Sequence, residues 1–178
     1  MIRKTPTSPE PRIYVACLAA YNNAELHGGW IDATQGAEGI RAEIQEVLRT
    51  SPEPDAEEYA IHDYVGFGSV SLHEYEDIDH VAELAEFIDD HGPLGAELVS
   101  HAGSIDDARR MLEDNYAGCY ESLSHFAEDF LEETGQLDAV PEHLRGYIDF
   151  ASYGRDLDLS GELETVEVDG ELHLFWAR

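Results

Sequence analysis

Between Arg49 and Arg109 the chain carries sixteen Asp and Glu residues and no Lys or Arg. Carboxylates without nearby cations are costly to bury, so a fold of this segment has to keep nearly all of them at the surface. The apolar residues between them must then form the core, which favours amphipathic helices and half-buried strands. The same pattern returns between Met111 and Leu144, where nine acids occur without a base.

The whole chain is acidic, because 39 Asp and Glu against 10 Lys and Arg give a net charge of −29. This charge argues against binding to nucleic acids and anionic membranes, and it favours basic partners such as nucleic-acid-binding proteins. A hydrophobic content of 43% in 178 residues still allows real cores, in one ordinary domain or in two to three small ones. The alternative explanation is a salt-adapted domain of unknown role, from an organism whose proteins are all acidic.

Sequence features also predict where the protein resides. No run of about 18 apolar residues suits a membrane span, and MIRKTPTSPEPR at the start lacks the apolar core of a signal peptide. We therefore expect a cytoplasmic protein without membrane contact. Cys17 and Cys119 have neither metal-ligand spacing nor a disulfide framework, and we expect buried or half-buried thiols.

Residue periodicity predicts an α+β fold in three small domains that follow a flexible arm over 1–11. The N-terminal α+β domain (12–72) is predicted to hold strands at 12–18, 30–32 and 59–65 and a helix over 36–50. The central domain (73–112) is predicted to be helical, with helices that cover 78–91, 94–101 and 105–116. The C-terminal α+β domain (113–178) is predicted to hold helices over 121–134 and 142–157 and a hairpin that turns at 169–170.

No motif indicates an enzyme. Paired carboxylates occur by chance among 39 acids, and the nine histidines form no HxH or HExxH pattern. Gly66 and Gly68 begin a dinucleotide-like loop, but Ser71 stands where the third glycine is needed. We therefore expect no catalytic residue, no cofactor and no bound metal.

One segment leaves a calcium- or cation-binding alternative open. Asp156, Asp158, Ser160, Gly161 and Glu167 have the spacing of an EF-hand loop. Such a loop needs a helix after it, whereas the residues after Glu167 predict a hairpin. We prefer a turn from a helix into a strand at 156–167.

The acidity has a geometric counterpart in duplex DNA. B-DNA carries one negative charge per roughly 1.7 Å, so a charge of −29 matches about 50 Å, or about 15 base pairs. Carboxylates four residues apart on a helix lie about 6 Å apart along its axis. The acidic helix faces over 77–90 and 121–133 are therefore predicted to imitate rows of phosphates.

The predicted DNA-mimic surface consists of the acids in the two helices and in the segments beside them. Its candidate residues are Glu74, Glu76, Asp77, Asp79, Glu83, Glu86, Asp89, Asp90, Asp106, Asp107, Glu113, Asp114, Glu121, Glu128, Asp129, Glu132 and Glu133.

Several segments, in order, resemble ArdA-type antirestriction proteins. They are PRIYVACLAAYNNAELHGGWIDA (11–33), IRAEIQEVL (40–48), SPEPDAEEYAIHDYVGFG (51–68), EYEDIDHVAELAEFIDDHG (74–92), NYAGCYESLSHFAEDFLEETG (115–135) and YIDFASYGRDLDLSGEL (147–163). The resemblance covers nearly the whole chain after residue 10.

The resemblance implies a protein of mobile genetic elements that protects conjugating DNA from host restriction. Such proteins mimic bent duplex DNA and occupy the groove of type I restriction–modification enzymes, chiefly the methyltransferase core with its specificity subunit. It further implies an elongated string of three small domains, a curved homodimer formed through the C-terminal domain, and an acidic antirestriction motif, which we assign to the 121–133 helix.

Overall fold

The computed structural model describes residues 9–177 of the chain. They fold into two compact units, of which the first ends at Ile105 and the second begins at Asp106. Each unit contains one three-stranded antiparallel sheet together with helices. The α+β class is therefore confirmed, and the domain boundaries at 72/73 and 112/113 stay predictions.

The sheet of the first unit has its first strand in the middle. The strands are β1 (Arg12–Cys17), β2 (Gly28–Asp32) and β3 (Tyr59–Val65), and their spatial order is β2-β1-β3. Ile13 and Val15 of β1 are fully buried, as expected for alternate residues that face a core. The three predicted strands are confirmed, and a short helix α1 (Leu18–Asn22) stands where we expected a loop.

The helices of the first unit bury one apolar face each. They are α2 (Gly36–Arg49), α3 (Ile78–His91) and α4 (Pro93–Ala102), which confirms the three predicted helices. Gly92, with a φ of 63°, ends α3, and Pro93 begins α4 because its fixed φ suits a first helical position.

The predicted helix over 105–116 is only partly regular. It begins as α5 (Ile105–Arg110), continues as a π-helical turn (Met111–Asn115) and leads directly into a strand, β4 (Tyr116–Tyr120). The sequence did not predict β4.

The second unit builds its sheet from β4 and a C-terminal hairpin. Helix α6 (Leu123–Glu133) confirms the helix predicted over 121–134, and α7 (Glu142–Arg145) and α8 (Phe150–Leu159) follow it. Strands β5 (Leu163–Val168) and β6 (Glu171–Trp176) form the predicted hairpin, and the sheet order is β4-β6-β5. Asp169 and Gly170 both have positive φ, as a tight two-residue hairpin turn requires.

The prediction of one helix over 142–157 is wrong. The helix is interrupted between Arg145 and Phe150, because α7 ends at Gly146 and Asp149 begins α8 as its N-cap. The Asp149 carboxylate accepts the backbone N–H of Ser152 at 2.9 Å and the Ser152 hydroxyl at 2.8 Å. An acidic N-cap favours a new helix start over continuation of the previous helix.

Residues 1–8 of the predicted arm lie outside the described residues. The end of the arm is packed, because Pro11 is buried and its carbonyl accepts the N–H of Ala33 at 3.0 Å. Within residues 9–177, none of the helices combines the length and the apolar character that a membrane crossing requires.

Candidate interaction surface

The predicted acidic surface lies at the outside of both units. Of its seventeen carboxylates, thirteen are exposed and four are half-buried, namely Glu76, Asp89, Asp107 and Asp129. None is buried. Carboxyl groups in contact with water are ionised at neutral pH, so this surface is negative and accessible to a basic partner.

Helix α3 carries the most regular part of this surface. Asp79, Glu83, Glu86 and Asp90 are exposed and follow each other at spacings of four, three and four residues, so they lie along one side of the helix over about 16 Å. We call these four residues the α3 acidic ridge. Asp89 lies off the ridge and is half-buried.

The opposite side of α3 explains why the ridge faces solvent. Val81, Leu84, Ala85 and Ile88 are each at most 5% exposed and pack into the core of the first unit. A helix with an apolar stripe on one side must place its charged residues on the other. The sequence pattern that fixes the helix therefore also fixes the direction of the carboxylates.

One member of the ridge is paired with a cation. The two terminal nitrogens of Arg41, on α2, donate to the two carboxylate oxygens of Asp79 at 3.0 and 2.7 Å. This hydrogen bonding by Arg41 holds the pKa of Asp79 below its usual range. Asp79 therefore stays ionised, but its charge is largely compensated on this side of the helix.

An open cleft of about 390 Å³ runs beside the ridge. Its lining includes Asp79, Glu83 and Glu86 of α3 together with Thr34 and Gln35. Three of the carboxylates of the ridge are therefore accessible from this cleft.

Acids that precede α3 have local structural roles. The Asp77 carboxylate caps α3 by accepting the N–H of Asp79 at 2.7 Å, and Glu76 accepts the N–H of His73 at 3.1 Å. Glu74 lies 3.8 Å from the Nε2 atom of His62. The hydrogen bonds of Asp77 and Glu76 therefore support the local backbone in addition to the charge that these acids add.

Helix α6 presents a second acidic face. Glu128, Glu132 and Glu133 are exposed, and Glu121 lies just before Ser122, the N-cap of the helix. Burial raises the pKa of the nearby Tyr120 phenol, and the charges of Asp129 and Glu133 raise it further. Asp129 and Glu133 therefore lie near Tyr120, at one side of α6.

The remaining candidates lie around α5. Asp106 and Asp107 occupy its first turn, where the helix dipole favours acids. Asp107 accepts a hydrogen bond from Arg110 at 2.5 Å, and Glu113 and Asp114 are exposed on the π-helical turn. The charge of Asp107 is thus partly compensated within its own helix.

The segment of the calcium alternative is not an EF-hand loop. Asp156 and Asp158 lie on α8, Ser160 follows its last residue, and Glu167 lies on β5. The exit helix that an EF-hand needs is replaced by a strand. The preferred turn from a helix into a strand is confirmed.

A cluster of chemically different residues was missed by the sequence analysis. Cys119 on β4 lies opposite His173 on β6, and Glu171 lies two residues before His173. One ligand atom from each of the three lies within 4.8 Å of the others. Cys119 is exposed, so the expectation of a buried or half-buried thiol holds for Cys17 and is wrong for Cys119.

The surroundings of this cluster shift the pKa values of His173, Cys119 and the neighbouring Tyr116. Burial lowers the pKa of His173, which is 5% exposed, whereas Glu171 opposes that shift. Partial desolvation raises the pKa of the Cys119 thiol although its surface is largely exposed, and Glu171 raises it further. Burial raises the pKa of Tyr116 to about 12. The Tyr116 hydroxyl lies 2.9 Å from Nδ1 of His173.

Comparison with known proteins identifies the chain through a family model. The model described as antirestriction protein (ArdA) matches residues 13–170. None of the curated proteins matches the chain. The matched range includes both acidic helices and the strands up to β5, and it ends before β6 begins at Glu171.

Proposed function

The chain belongs to the ArdA antirestriction family, and from that membership we propose that it blocks restriction–modification enzymes as a mimic of duplex DNA. Antirestriction proteins act on restriction–modification enzymes, which are nucleic-acid-binding proteins with basic grooves. In the proposed mechanism the acidic helix faces occupy such a groove and exclude DNA from it. The protein changes no covalent bond in this mechanism.

The observation that carries the proposal is the α3 acidic ridge in a chain segment without a single Lys or Arg. Its four carboxylates cover about 16 Å, whereas one DNA strand carries a phosphate every 3.4 Å or so. A single ridge is therefore less densely charged than a DNA strand. The mimicry consequently needs several faces at once, including that of α6.

The proposed target is a type I enzyme, in its methyltransferase core with the specificity subunit. Phosphate contacts position a protein on DNA without distinguishing sequence, so a surface of carboxylates can compete for them without imitating bases. Because such enzymes contact DNA inside the cell, we place the action of this protein in the cytoplasm.

We further propose that the protein acts as an elongated, curved homodimer of three-domain chains, with the C-terminal domain (113–178) at the dimer contact. This proposal rests on the family membership, and the candidate contact residues in that domain are its exposed apolar side chains, Tyr147 at 86%, Leu159 at 75% and Leu144 at 45% exposure. Sedimentation velocity tests the dimer, and Tyr147→Ser is expected to shift it toward monomer. A monomeric unaltered protein would contradict this part of the proposal.

A competition experiment tests the mechanism. A type I methyltransferase is bound to a labelled duplex that contains its recognition site, and the protein is titrated at low and at moderate salt. We expect stoichiometric displacement of the duplex, weaker as salt rises, because the contacts are electrostatic. Failure of the folded protein to displace DNA at low salt, with enzymes of several type I families, would contradict DNA mimicry.

A further inference from the structure

The second unit contains a cross-strand arrangement of three different metal-ligand types. Cys119 pairs with His173 in the β4–β6 ladder, and Glu171 lies on the same side of β6 because side chains alternate along a strand. The ligand atoms of the three residues all lie within 4.8 Å of each other. His173 Nε2 lies 3.9 Å from a carboxylate oxygen of Glu171.

A zinc site requires these ligand atoms to approach one another somewhat more closely. With Zn–S near 2.3 Å and Zn–N near 2.0 Å, tetrahedral ligand atoms lie about 3.5 Å apart. The sheet pairing already places the backbones of Cys119 and His173 side by side. Glu171 is 71% exposed, so its side chain can rotate by the remaining distance without disturbing the core.

The imidazole of His173 is held in a suitable orientation. It is 5% exposed, and its Nδ1 atom lies 2.9 Å from the hydroxyl of Tyr116. The rings of Tyr116 and His173 are stacked, with an interplanar angle of 27°. Since Nδ1 is engaged, Nε2 is the nitrogen left facing Glu171. A hydrogen bond to the second ring nitrogen is the usual support of a metal-binding histidine.

We propose that Cys119 Sγ, His173 Nε2 and the Glu171 carboxylate bind a thiophilic divalent cation of the Zn²⁺ type. A thiolate and an imidazole favour zinc over Ca²⁺ and Mg²⁺, which prefer oxygen ligands. On binding, the Cys119 S–H bond breaks, the sulfur–metal bond forms and one proton is released to solvent. His173 then donates its Nδ1–H to Tyr116. A fourth position stays open to water.

This site is independent of the acidic surface. It uses one carboxylate, Glu171, that is not among the seventeen candidates, and its selectivity comes from sulfur and nitrogen. Loss of metal binding would leave the proposed DNA mimicry untouched, and failure of the competition experiment would leave the metal site untouched.

Cobalt substitution tests the site directly. Untagged, metal-free protein is titrated with Co²⁺ in excess Mg²⁺, which saturates weak carboxylate sites. We expect one Co²⁺ per chain with a thiolate-to-cobalt charge-transfer band in the near ultraviolet, and displacement of the band by one equivalent of Zn²⁺. A folded protein without this band would overturn the proposal.

Variants assign the ligands. Cys119→Ser is expected to abolish the band and to weaken Zn²⁺ binding at least tenfold, whereas Cys17→Ala should retain both. Tyr116→Phe keeps the ring but removes the hydroxyl, and is expected to weaken Zn²⁺ binding about 10- to 100-fold. Glu171→Gln is compared with Glu167→Gln on β5, which should bind normally. A band that persists in folded Cys119→Ser would overturn the proposal.

Discussion

Gly154 of α8 lies directly against the carbonyl oxygen of Leu123 of α6, in a space that a β-carbon would overlap. Gly154 is buried, and the obstructing atoms belong to the backbone and Cβ of Leu123. The two helices can therefore approach this closely only because residue 154 has no side chain.

Substitution of Gly154 tests this close packing. Gly154→Ala is expected to lower the free energy of unfolding by about 1–3 kcal/mol, the range typical of overpacking, because the helices must separate. Gly146→Ala is the matched control, since an added Cβ there meets nothing and its φ of −69° suits any residue. Urea unfolding followed by circular dichroism compares them, and equal midpoints would contradict the packing argument.

Block neutralisation tests where the acidic surface matters. Glu83→Gln, Glu86→Gln and Asp90→Asn together remove three charges from the α3 acidic ridge. We expect the triple variant to displace labelled duplex from the methyltransferase about 3- to 100-fold less effectively, because each exposed ion pair with the enzyme contributes modestly and the contributions add up. Any one of them alone should have little effect. Glu38→Gln, Glu57→Gln and Glu167→Gln together remove the same charge elsewhere and should compete nearly normally. Equal losses would show that only net charge matters.

Removal of Arg41, the cation beside the α3 acidic ridge, should strengthen the proposed binding to the methyltransferase. Arg41→Gln removes the cation paired with Asp79, so we expect a lower concentration of this variant to displace DNA from the methyltransferase. We expect little change in the urea unfolding midpoint, because both side chains are exposed. Arg49→Gln is the matched control, since it removes the same charge from a pair with Glu46 on α2. If both variants displace DNA more effectively by the same factor, only the net charge matters and the release of Asp79 has no specific effect.

The N-cap of α8 should make stability depend on acid pH. Hydrogen bonds from the N–H and hydroxyl of Ser152 lower the pKa of Asp149 in the folded protein. Its contribution is therefore complete above the unfolded-state pKa, about 3.9, and is lost as the pH falls through the lower folded pKa. Urea unfolding from pH 6 to pH 2.5 should show a smaller decline for Asp149→Asn, which caps without titrating. A parallel decline would contradict this assignment.

Calcium should have no specific effect on the 156–167 segment, because it lacks the exit helix of an EF-hand. We expect equal thermal melting midpoints in Ca²⁺ and in Mg²⁺ at the same ionic strength. A midpoint raised by Ca²⁺ alone and abolished by Asp156→Asn would revive the calcium alternative.

Most of the regular structure could be predicted from local patterns. Helix α3 shows an apolar stripe with a Gly-Pro stop, and the β5–β6 hairpin shows alternation around Asp169-Gly170. Strand β4 could not be predicted in this way, because it is short and follows a helical pattern without a break. The break after Pro141 does have a local signal, because Asp149 is a residue type that favours helix N-caps.

The candidate site likewise contains features that local sequence patterns predict and features that depend on tertiary packing. Exposure of the acidic faces follows from periodicity within each helix. The Arg41–Asp79 pair and the Cys119–Glu171–His173 cluster join residues that are far apart in the sequence. They cannot be predicted from the spacing of residues along the chain. They depend on the packing of α2 with α3 and on the β4–β6 pairing.

On α3, the side that holds the fold together and the side that carries the charge share no residue. Mutations among Asp79, Glu83, Glu86 and Asp90 can therefore change the charge of the proposed DNA-mimic surface without touching the core. Such a surface has wide freedom to drift as long as its acids remain numerous. Under the proposed mechanism, an enzyme whose groove must still bind DNA has no comparable freedom to escape such a surface.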